Sequence, residues 1–487
     1  MKKFFTEKKS GASSNRKKNR EFAVITYLFV GLFLILIGYF AYFQIYKSED
    51  FINSPYNTRQ ETFAEHVVRG NILSADGKVL AQTLVGEDGS ETRYYPYGGM
   101  FAHAVGYDSN GRAGIESFGN FTLLRSHAFF LEQVINGIKG QKNQGDNIVT
   151  TLNYSLQETA YQALGDRRGA IVALEPSTGK IVAMVSKPDF DPNAVATEWE
   201  SIISDTEGEN SVLVNRATQG LYPPGSTFKI LTTLEYLREN PNYQQYSYEC
   251  IGSIPINKTE IHCYNNAVHG TESLEASFAK SCNTSYANIG LGLDRKAFSG
   301  LCSELLFGKN LPVPYASNQS SFVLDTKSDA DQVAQTAIGQ GETLVTPMHM
   351  AMITAAIANS GNLMRPYVID HTENYKGVTV QNYRASEYGS LLGADEAAKL
   401  QEFMSLVVRE GTASALNGQP YQAAGKTGSA EFSNIKGESH AWFTGYASME
   451  GKETLAVTVI VENGGAGSTT AVPIAKQLFD RYFTSGS

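Results

Sequence analysis

The chain has 487 residues, a net charge of −9 and a hydrophobic share of 42%. At about 150 residues per domain, this length predicts two or three domains, and the hydrophobic share excludes a disordered chain. The four cysteines are too few for a small disulfide-built protein, and the acidic balance argues against a nucleic-acid partner.

The charge is unevenly distributed along the chain. Residues 1–20 contain eight Lys and Arg and one Glu, a charge of +7, which leaves −16 on the rest. Phe22 to Tyr46 follows without a charged residue and, as a helix, is long enough to cross a hydrocarbon layer of ~30 Å. Because basic flanks stay in the cytoplasm, we predict a cytoplasmic tail over 1–21, a transmembrane helix over 22–46 and an exported body.

A cleaved signal peptide is the alternative interpretation of this N-terminus. Its apolar core would be shorter, about 7–15 residues, and a small-residue cleavage site would follow it. The apolar run here ends in Tyr-Phe-Gln-Ile-Tyr instead, and no second run in the sequence approaches its length. The pattern favours an uncleaved, single-pass anchor.

The exported body changes in character near residue 147. Residues 47–146 mix short β-like runs with Gly-rich turns, which predicts a small first domain. Beyond them, a hairpin is predicted over 169–186, several amphipathic helices follow, and three strand candidates precede a last helix near 474–482. Strands at both ends with helices between them indicate a layered α/β or α+β fold for 147–487.

The first motif that suits catalysis is Pro223-Pro224-Gly225-Ser226-Thr227-Phe228-Lys229. We expect a helix to begin at Ser226, so that the spacing of three puts Ser226 and Lys229 on one face. A desolvated, neutral lysine can take the proton of a serine nucleophile, while the helix N-terminus favours the developing oxyanion. A serine N-cap on an amphipathic helix would explain the same residues without catalysis.

Four possible metal ligands, Cys250, Cys263, His269 and Cys282, are spaced Cys-x12-Cys-x5-His-x12-Cys. They would suffice for a tetrahedral structural zinc site, which would clamp the loop that presents Ser281 and Asn283. They lack compact Cys-x-x-Cys spacing. An exported compartment also permits a Cys250–Cys263 disulfide, and buried thiols without a partner are the third interpretation. The spacing leaves all three open, and Cys302 receives no role.

The second motif, Ser281-Cys282-Asn283, is predicted on a loop between two helices. A hydroxyl and a carboxamide two residues apart can face one cleft, where they would relay a proton and hold a substrate amide. A pair of capping residues between helices is the alternative.

The third motif, Lys426-Thr427-Gly428-Ser429, is predicted on a strand that pairs with an antiparallel neighbour. Gly428 would let a substrate backbone approach closely, and the lysine with its flanking hydroxyls suits a carboxylate. A glycine-containing strand end is the alternative for this motif alone. The ordered set Ser-x-x-Lys, Ser-x-Asn and Lys-Thr-Gly is the signature of penicillin-interacting serine enzymes.

On these motifs, the chain resembles the class B penicillin-binding proteins, which are D,D-transpeptidases of bacterial cell-wall synthesis. Arg69-Gly70-Asn71-Ile72, Arg93 to Tyr107 and Gly114-Ile115-Glu116 resemble pedestal motifs, and Gly339-Gln340-Gly341 resembles a helix-opening motif of that family. The resemblance implies a dimerisation-like pedestal domain over 47–146 and a penicillin-binding transpeptidase domain over 147–487. It also implies a bacterial cytoplasmic membrane protein whose catalytic domain lies outside.

The resemblance implies roles for the motif residues as well. The implied catalytic residues are Ser226, Lys229, Ser281, Asn283 and Lys426, and the implied substrate-binding residues are Thr427, Gly428 and Ser429. The serine would be acylated by a peptidoglycan stem peptide or by a β-lactam, and no cofactor would be required for this chemistry. Some class B relatives carry zinc just before the second motif. The implied partner is a polytopic membrane glycosyltransferase.

A β-lactam-hydrolysing or β-lactam-sensing protein of the same fold is the alternative function. A class A hydrolase needs a carboxylate to activate water, and no Glu-x-x-Leu-Asn run follows Asn283. A class D hydrolase would favour Val over Asn in the second motif. A sensor would carry His-Glu-x-x-His, which the sequence lacks. A nonenzymatic scaffold would not need Lys229 or Lys426.

Overall fold

The computed structural model describes residues 12–46, 64–204, 211–431 and 438–484. These residues belong to two compact units, one within 1–60 and one within 61–487. The first unit contains helix α1 (Ala12–Tyr46). Within α1, Phe22–Gln44 is apolar and unburied, and it alone among the described helices is long and apolar enough to span a membrane. The predicted apolar helix is therefore confirmed, while residues 1–11 of the predicted tail lie outside the described residues.

The second unit mixes strands and helices throughout. Its strands are β1 Val67–Val68, β2 Ile72–Leu73, β3 Val79–Val85, β4 Glu91–Tyr94, β5 Asn143–Gln144, β6 Asn147–Thr150, β7 Gly169–Leu174, β8 Ile181–Lys187, β9 Tyr248–Cys250, β10 Ser253–Ile256, β11 Thr259–His262, β12 Gly270–Glu272, β13 Asn362–Met364, β14 Ile369–Glu373, β15 Thr379–Asn382, β16 Glu387–Ser390, β17 Gln422–Glu431, β18 Ser439–Ser448 and β19 Leu455–Val461. Its helices are α2 Ala102–Val105, α3 Gly114–Phe118, α4 Asn120–Leu123, α5 Phe130–Lys139, α6 Tyr154–Leu164, α7 Val195–Ser204, α8 Lys229–Glu239, α9 Leu274–Ala279, α10 Asn283–Gly292, α11 Arg295–Glu304, α12 Ala330–Ala337, α13 Pro347–Ala358, α14 Ala394–Arg409 and α15 Ala471–Thr484.

The larger domain is built on a five-stranded antiparallel sheet with the order β17-β18-β19-β7-β8. The predicted hairpin is β7–β8, and the three predicted late strands are β17, β18 and β19. Neighbouring residues of β18 show the two covered faces. Thr444 hydrogen-bonds Thr354 of α13 at 2.6 Å, whereas Phe443 packs against Phe479 of α15. Because helices cover both faces, β7, β8 and β19 are buried along their whole length.

A six-stranded sheet with the order β15-β14-β6-β2-β3-β4 joins strands of both predicted domains. Strand β6, at the predicted domain boundary, pairs in parallel with β2 and antiparallel with β14. Strands β14 and β15 therefore tie the later part of the chain to the pedestal. The exact boundary at 146–147 stays a prediction.

Three pedestal motifs of the sequence meet in one buried ion cluster. Glu116 accepts hydrogen bonds from the guanidinium groups of Arg69 and Arg93, both at 2.7 Å. Arg93 also donates to the carbonyl of Gly70 at 2.7 Å. Burial alone would raise the pKa of Glu116, but the two arginines hold this pKa below its usual value. The cluster therefore joins α3 to the strands beside it.

Candidate active site

Ser226 lies on a tight turn at the start of α8. The sequence predicts an α-helix from Ser226, but Gly225–Phe228 forms a 3₁₀ turn and the α-helix begins at Lys229. A 3₁₀ turn is tighter than an α-helical one, and the two forms often meet at a helix end. Ser226 is half-buried, whereas Lys229 is fully buried. The hydroxyl is thus accessible while the amine behind it is not.

Two contacts fix this turn from outside. Gly225, at φ +53°, donates its backbone N–H to the carbonyl of Gly339 at 2.8 Å. A Cβ on Gly339 would lie 1.9 Å from the carbonyl oxygen of Gly225, so only glycine allows this approach. The indole N–H of Trp442 on β18 donates to the carbonyl of Pro223 at 3.1 Å. The helix-opening glycine and a buried tryptophan therefore hold the serine in place.

The first and second motifs meet through Lys229. Its Nζ donates to the side-chain oxygen of Asn283 at 2.7 Å and to the backbone oxygen of Ser281 at 2.8 Å, and it lies 3.3 Å from Ser281 Oγ. Ser281 has φ +60°, a left-handed conformation that is strained for a residue with a side chain. Among the described residues, no hydrogen bond joins Ser226 to Lys229.

The third motif reaches the same hydroxyl. Lys426 Nζ on β17 donates to Ser281 Oγ at 2.8 Å and to the backbone oxygen of Thr427 at 3.1 Å. Ser281 therefore lies between two amines, and both lysine side chains are fully buried. Burial lowers the pKa of Lys229 to about 8. Burial, and then the charge of Lys229, lower the pKa of Lys426 well below its usual value.

Two aromatic rings line the cleft beneath these amines. Lys229 Nζ lies 5.2 Å from the ring centre of Tyr286, and Lys426 Nζ lies 5.6 Å from that of Phe278. Both rings are buried and exclude water from the amines. Sequence reasoning missed them. Phe278 lies three residues before Ser281, and Tyr286 lies three residues after Asn283, in the helices that flank the loop. These positions were the available signal.

The strand that carries the third motif packs directly on the serine turn. A Cβ on Gly428 would lie 3.1 Å from the carbonyl oxygen of Pro224, so this strand runs very close to the turn. Ser429 Oγ accepts the backbone N–H of Gly467 at 3.3 Å. The Thr427 hydroxyl hydrogen-bonds the hydroxyl of Thr412 at 2.5 Å. Thr412 follows α14 and carries no motif, so sequence reasoning missed it too.

The cysteine and histidine set converges directly beside the second motif. One ligand atom from each of Cys250, Cys263, His269 and Cys282 lies within 4.8 Å of the others. Cys250 Sγ is 3.6 Å from Cys263 Sγ and 3.4 Å from His269 Nδ1, and the sulfurs of Cys263 and Cys282 are 3.7 Å apart. All four cysteines are free thiols, so the alternative interpretation as a Cys250–Cys263 disulfide is not realised in this structure. Cys302 is buried elsewhere, on α11.

The sequence matches two family descriptions. Residues 169–480 match "Penicillin binding protein transpeptidase domain", and residues 69–148 match "Penicillin binding protein A dimerisation domain". A relative from Mycolicibacterium smegmatis, "Peptidoglycan D,D-transpeptidase PbpA", is 30% identical over 94% of this chain and 97% of its own. "Peptidoglycan D,D-transpeptidase MrdA" from Acinetobacter baumannii is 29% identical, covering 80% of this chain and 66% of its own.

Solved structures agree with these matches. The fold resembles the ceftriaxone acyl-enzyme complex of penicillin-binding protein A from M. tuberculosis, with a TM-score of 0.78 and 28% identity over 87% of this chain and 100% of that one. It also resembles a D,D-transpeptidase domain from Eggerthella lenta, with a TM-score of 0.74 and 30% identity over 85% of this chain and 97% of that one. The chain belongs to the class B penicillin-binding protein family of serine-type D,D-transpeptidases.

Proposed function

We propose that this protein cross-links peptidoglycan stem peptides through an acyl-enzyme on Ser226, and that β-lactams acylate the same hydroxyl. One observation carries the residue assignment: two buried amines, Lys229 and Lys426, lie on either side of the Ser281 hydroxyl beside the Ser226 turn. The names of the PbpA and MrdA relatives support the substrate class.

In the proposed acylation, neutral Lys229 takes the proton of Ser226 Oγ as the oxygen attacks the carbonyl of the penultimate D-Ala. The bond from that carbonyl carbon to the terminal D-Ala nitrogen then breaks. The leaving nitrogen receives a proton through Ser281, whose hydroxyl contacts both amines. Asn283 holds the substrate amide, and Thr427, Gly428 and Ser429 hold the terminal carboxylate.

The acyl-enzyme then reacts with an amine of a second stem peptide. This amine attacks the ester carbonyl and forms the cross-linking amide bond. The bond from that carbonyl carbon to Ser226 Oγ breaks, and the proton lost by the amine returns to Ser226 Oγ. A β-lactam would open its ring on Ser226 in the same way, but its leaving nitrogen stays attached and blocks the acceptor. Slow release of the bound β-lactam follows from this proposal, whereas a hydrolase of the same fold would release it rapidly.

Covalent labelling by a fluorescent penicillin tests this assignment. Ser226→Ala should lose the label, and mass spectrometry of the wild-type protein should place the adduct on the peptide that contains Ser226. Ser303→Ala, on the exposed side of α11, is the matched control and should label normally. Labelling that persists in Ser226→Ala would refute the nucleophile. Rapid turnover of the label on the wild-type protein would favour the hydrolase instead.

We also propose that Phe22–Gln44 anchors the protein in the cytoplasmic membrane with the N-terminus inside. The apolar length and the preceding basic residues support this topology. In intact cells or spheroplasts, external protease should remove the catalytic domain and leave an N-terminal tag protected. Protection of both ends would contradict the topology.

A polytopic glycosyltransferase is the proposed partner, and crosslinked co-purification from membranes tests it.

The cysteine and histidine cluster fits a structural zinc ion, which we propose as its ligand. A tetrahedral site with Zn–S bonds of about 2.3 Å separates its sulfurs by about 3.8 Å. The observed sulfur separations of 3.6 and 3.7 Å agree with this value and exceed a disulfide bond of about 2.05 Å. Cys282 lies between Ser281 and Asn283, so a metal there would hold the loop that presents both side chains.

Metal analysis of the purified protein separates zinc from plain thiols. We expect about one equivalent of zinc per chain. Cys250→Ser should lower that content and slow acylation, whereas Cys302→Ser, which changes a buried thiol outside the cluster, should retain the zinc. Metal-free wild-type protein with a normal acylation rate would refute the proposal.

A further inference from the structure

Helix α5 of the pedestal exposes its apolar face and turns its polar face towards the protein, which is the reverse of the usual arrangement in a globular protein. Phe130, Leu131, Val134, Ile135 and Ile138 fall within one arc of the helix and are all exposed. Phe130 is 72% exposed and Ile138 is 82% exposed. No residue of α5 is buried. We name these five residues the apolar face of α5.

The opposite side of α5 is the side attached to the protein. Glu132 accepts a hydrogen bond from Lys376 at 3.0 Å and another from the hydroxyl of Tyr375. Gln133 donates to the carbonyl of Ala128 at 2.8 Å, and Asn136 donates to Asn143 at 3.0 Å. These polar contacts fix how the helix is rotated. Because the polar side of α5 is held against the protein, the apolar face points away from it.

A second exposed apolar pair lies near the end of α5. Lys142, three residues after the helix, forms an ion pair with Glu91 at 2.8 Å. Glu91 is paired on the sheet with Val85, and Leu84 and Val85 are both exposed. Val85 faces the same side of the hairpin as Glu91, so this exposed apolar side chain lies near the ion pair of Lys142.

Ala64, the first described residue after α1, contacts the same lysine. Lys142 Nζ donates to the carbonyl of Ala64 at 2.8 Å, and β5, which follows α5, pairs with β1. Only residues 47–63 separate Ala64 from the end of α1. If α1 spans a bilayer, the length of an extended chain limits the distance from its end to Ala64 to about 60 Å. A lipid surface would then be available to cover the apolar face without recruitment of a partner from solution.

We propose that the apolar face of α5 inserts into the outer leaflet of the membrane as an interfacial helix. The face carries no charge or hydrogen-bonding side chain that would select a protein surface, whereas Phe, Leu and Ile suit the boundary between headgroups and acyl chains. Lys139, the exposed last residue of the helix, follows the face and can approach lipid phosphates. This inference rests on the membrane anchoring proposed above.

Lipid contact can be measured on the full chain in single-copy nanodiscs of phosphatidylcholine and phosphatidylglycerol. Ile138→Trp adds a reporter to the two native tryptophans, and Val323→Trp, at an exposed apolar site of the transpeptidase domain, is the matched control. An interfacial helix lies about 5–10 Å into the headgroup boundary, so lipids brominated near the headgroup should quench Ile138→Trp at least about twofold more than Val323→Trp. Lipids brominated at the chain end should quench it less.

Equal quenching of the two variants would overturn the proposal. A blue-shifted Ile138→Trp emission without bromine quenching would also overturn it, because a protein would then cover the face. Phe130→Trp repeats the test at the other end of the helix. Retention of the protein in the disc after an alkaline wash tests the membrane anchor, and penicillin labelling tests the enzyme activity. A wrong anchor or a wrong activity can therefore be told apart from an α5 that does not contact lipid.

Discussion

The pedestal and the catalytic cleft both bury charged side chains, but they treat them in opposite ways. In the pedestal, Glu116 accepts hydrogen bonds from Arg69 and Arg93, and the negative charge is compensated where it is buried. In the cleft, the acceptors of Lys229 and Lys426 in the described part of the chain are all neutral oxygens, those of Ser281, Asn283 and Thr427. Among the described residues, the two buried amines thus share one hydroxyl without a hydrogen-bonded carboxylate.

This difference separates stability from chemistry. A compensated buried charge keeps its ionised form, and its partners are lost only at a large cost in stability. An uncompensated buried amine is driven towards its neutral form, which is the form that can accept a proton from a serine. The pedestal cluster should therefore act as a brace, and the lysine pair should lower stability in order to activate Ser226.

The largest expected effect is on the chemistry of the cleft. Lys229→Met should slow acylation by a fluorescent penicillin roughly 10³-fold or more, because it removes the general base. The free energy of unfolding should stay unchanged or rise, since a buried amine is replaced by an apolar chain of similar length. Rapid-quench labelling and urea unfolding measure the two quantities. A large loss of stability with normal acylation would mean that Lys229 stabilises the fold and does not act as the general base.

The matching change in the pedestal should affect stability instead. Glu116→Gln leaves two buried guanidinium groups without a counter-charge and should lower the free energy of unfolding by about 3 kcal/mol. Glu87→Gln, in the exposed turn of the β3–β4 hairpin, should change it by less than about 0.5 kcal/mol. Folded Glu116→Gln protein should still acylate at a near-normal rate. An intact stability would mean that the ion cluster is not a brace.

Much of the fold could be predicted from the sequence because local patterns decide it. The uncharged run after Phe22, the hairpin around Gly179 and the strand of Lys426 each show in a short window. The burial of Lys426 could not be derived this way. It depends on Phe278 and on covering helices far away in the chain, and nothing local distinguishes it from a surface lysine.

The residues of the site could be predicted in the same way, but their arrangement could not. The three motifs name Ser226, Lys229 and Lys426, but their spacing does not reveal that Ser281 lies between the two amines. That arrangement needs the positive φ of Ser281 and the approach of β17 to the serine turn, which are products of packing. Thr412 belongs to no motif, so only the structure places it at the third motif.

The third prediction is a pH dependence. With the pKa of Lys229 at about 8, the neutral amine is the minor form below that pH and the major form above it. The acylation rate should therefore rise with pH, by about tenfold per unit well below 8, and level off above 8. Lys229→Met should lose this dependence. A wild-type rate that is flat or falls between pH 6 and 9 would argue against a neutral lysine base.

The smallest expected effect concerns the hydroxyl pair beside the third motif. Thr412→Val removes one neutral hydrogen bond to Thr427, worth about 1 kcal/mol, and should lower the second-order rate of acylation about fivefold. Thr412→Ser keeps the hydroxyl and should retain most of the rate. If the two variants are equally slow, the methyl group of Thr412 matters rather than its hydroxyl.

The ionisation of Lys229 itself is the most direct test of whether a neutral lysine activates Ser226. NMR of protein with ¹³C at the lysine ε-carbons, assigned with Lys229→Met, follows this amine as the pH is raised. We expect a titration midpoint of about 8, lowered by burial from the ordinary 10.5. A midpoint at the ordinary value, with Ser226 still acylated rapidly at neutral pH, would contradict it.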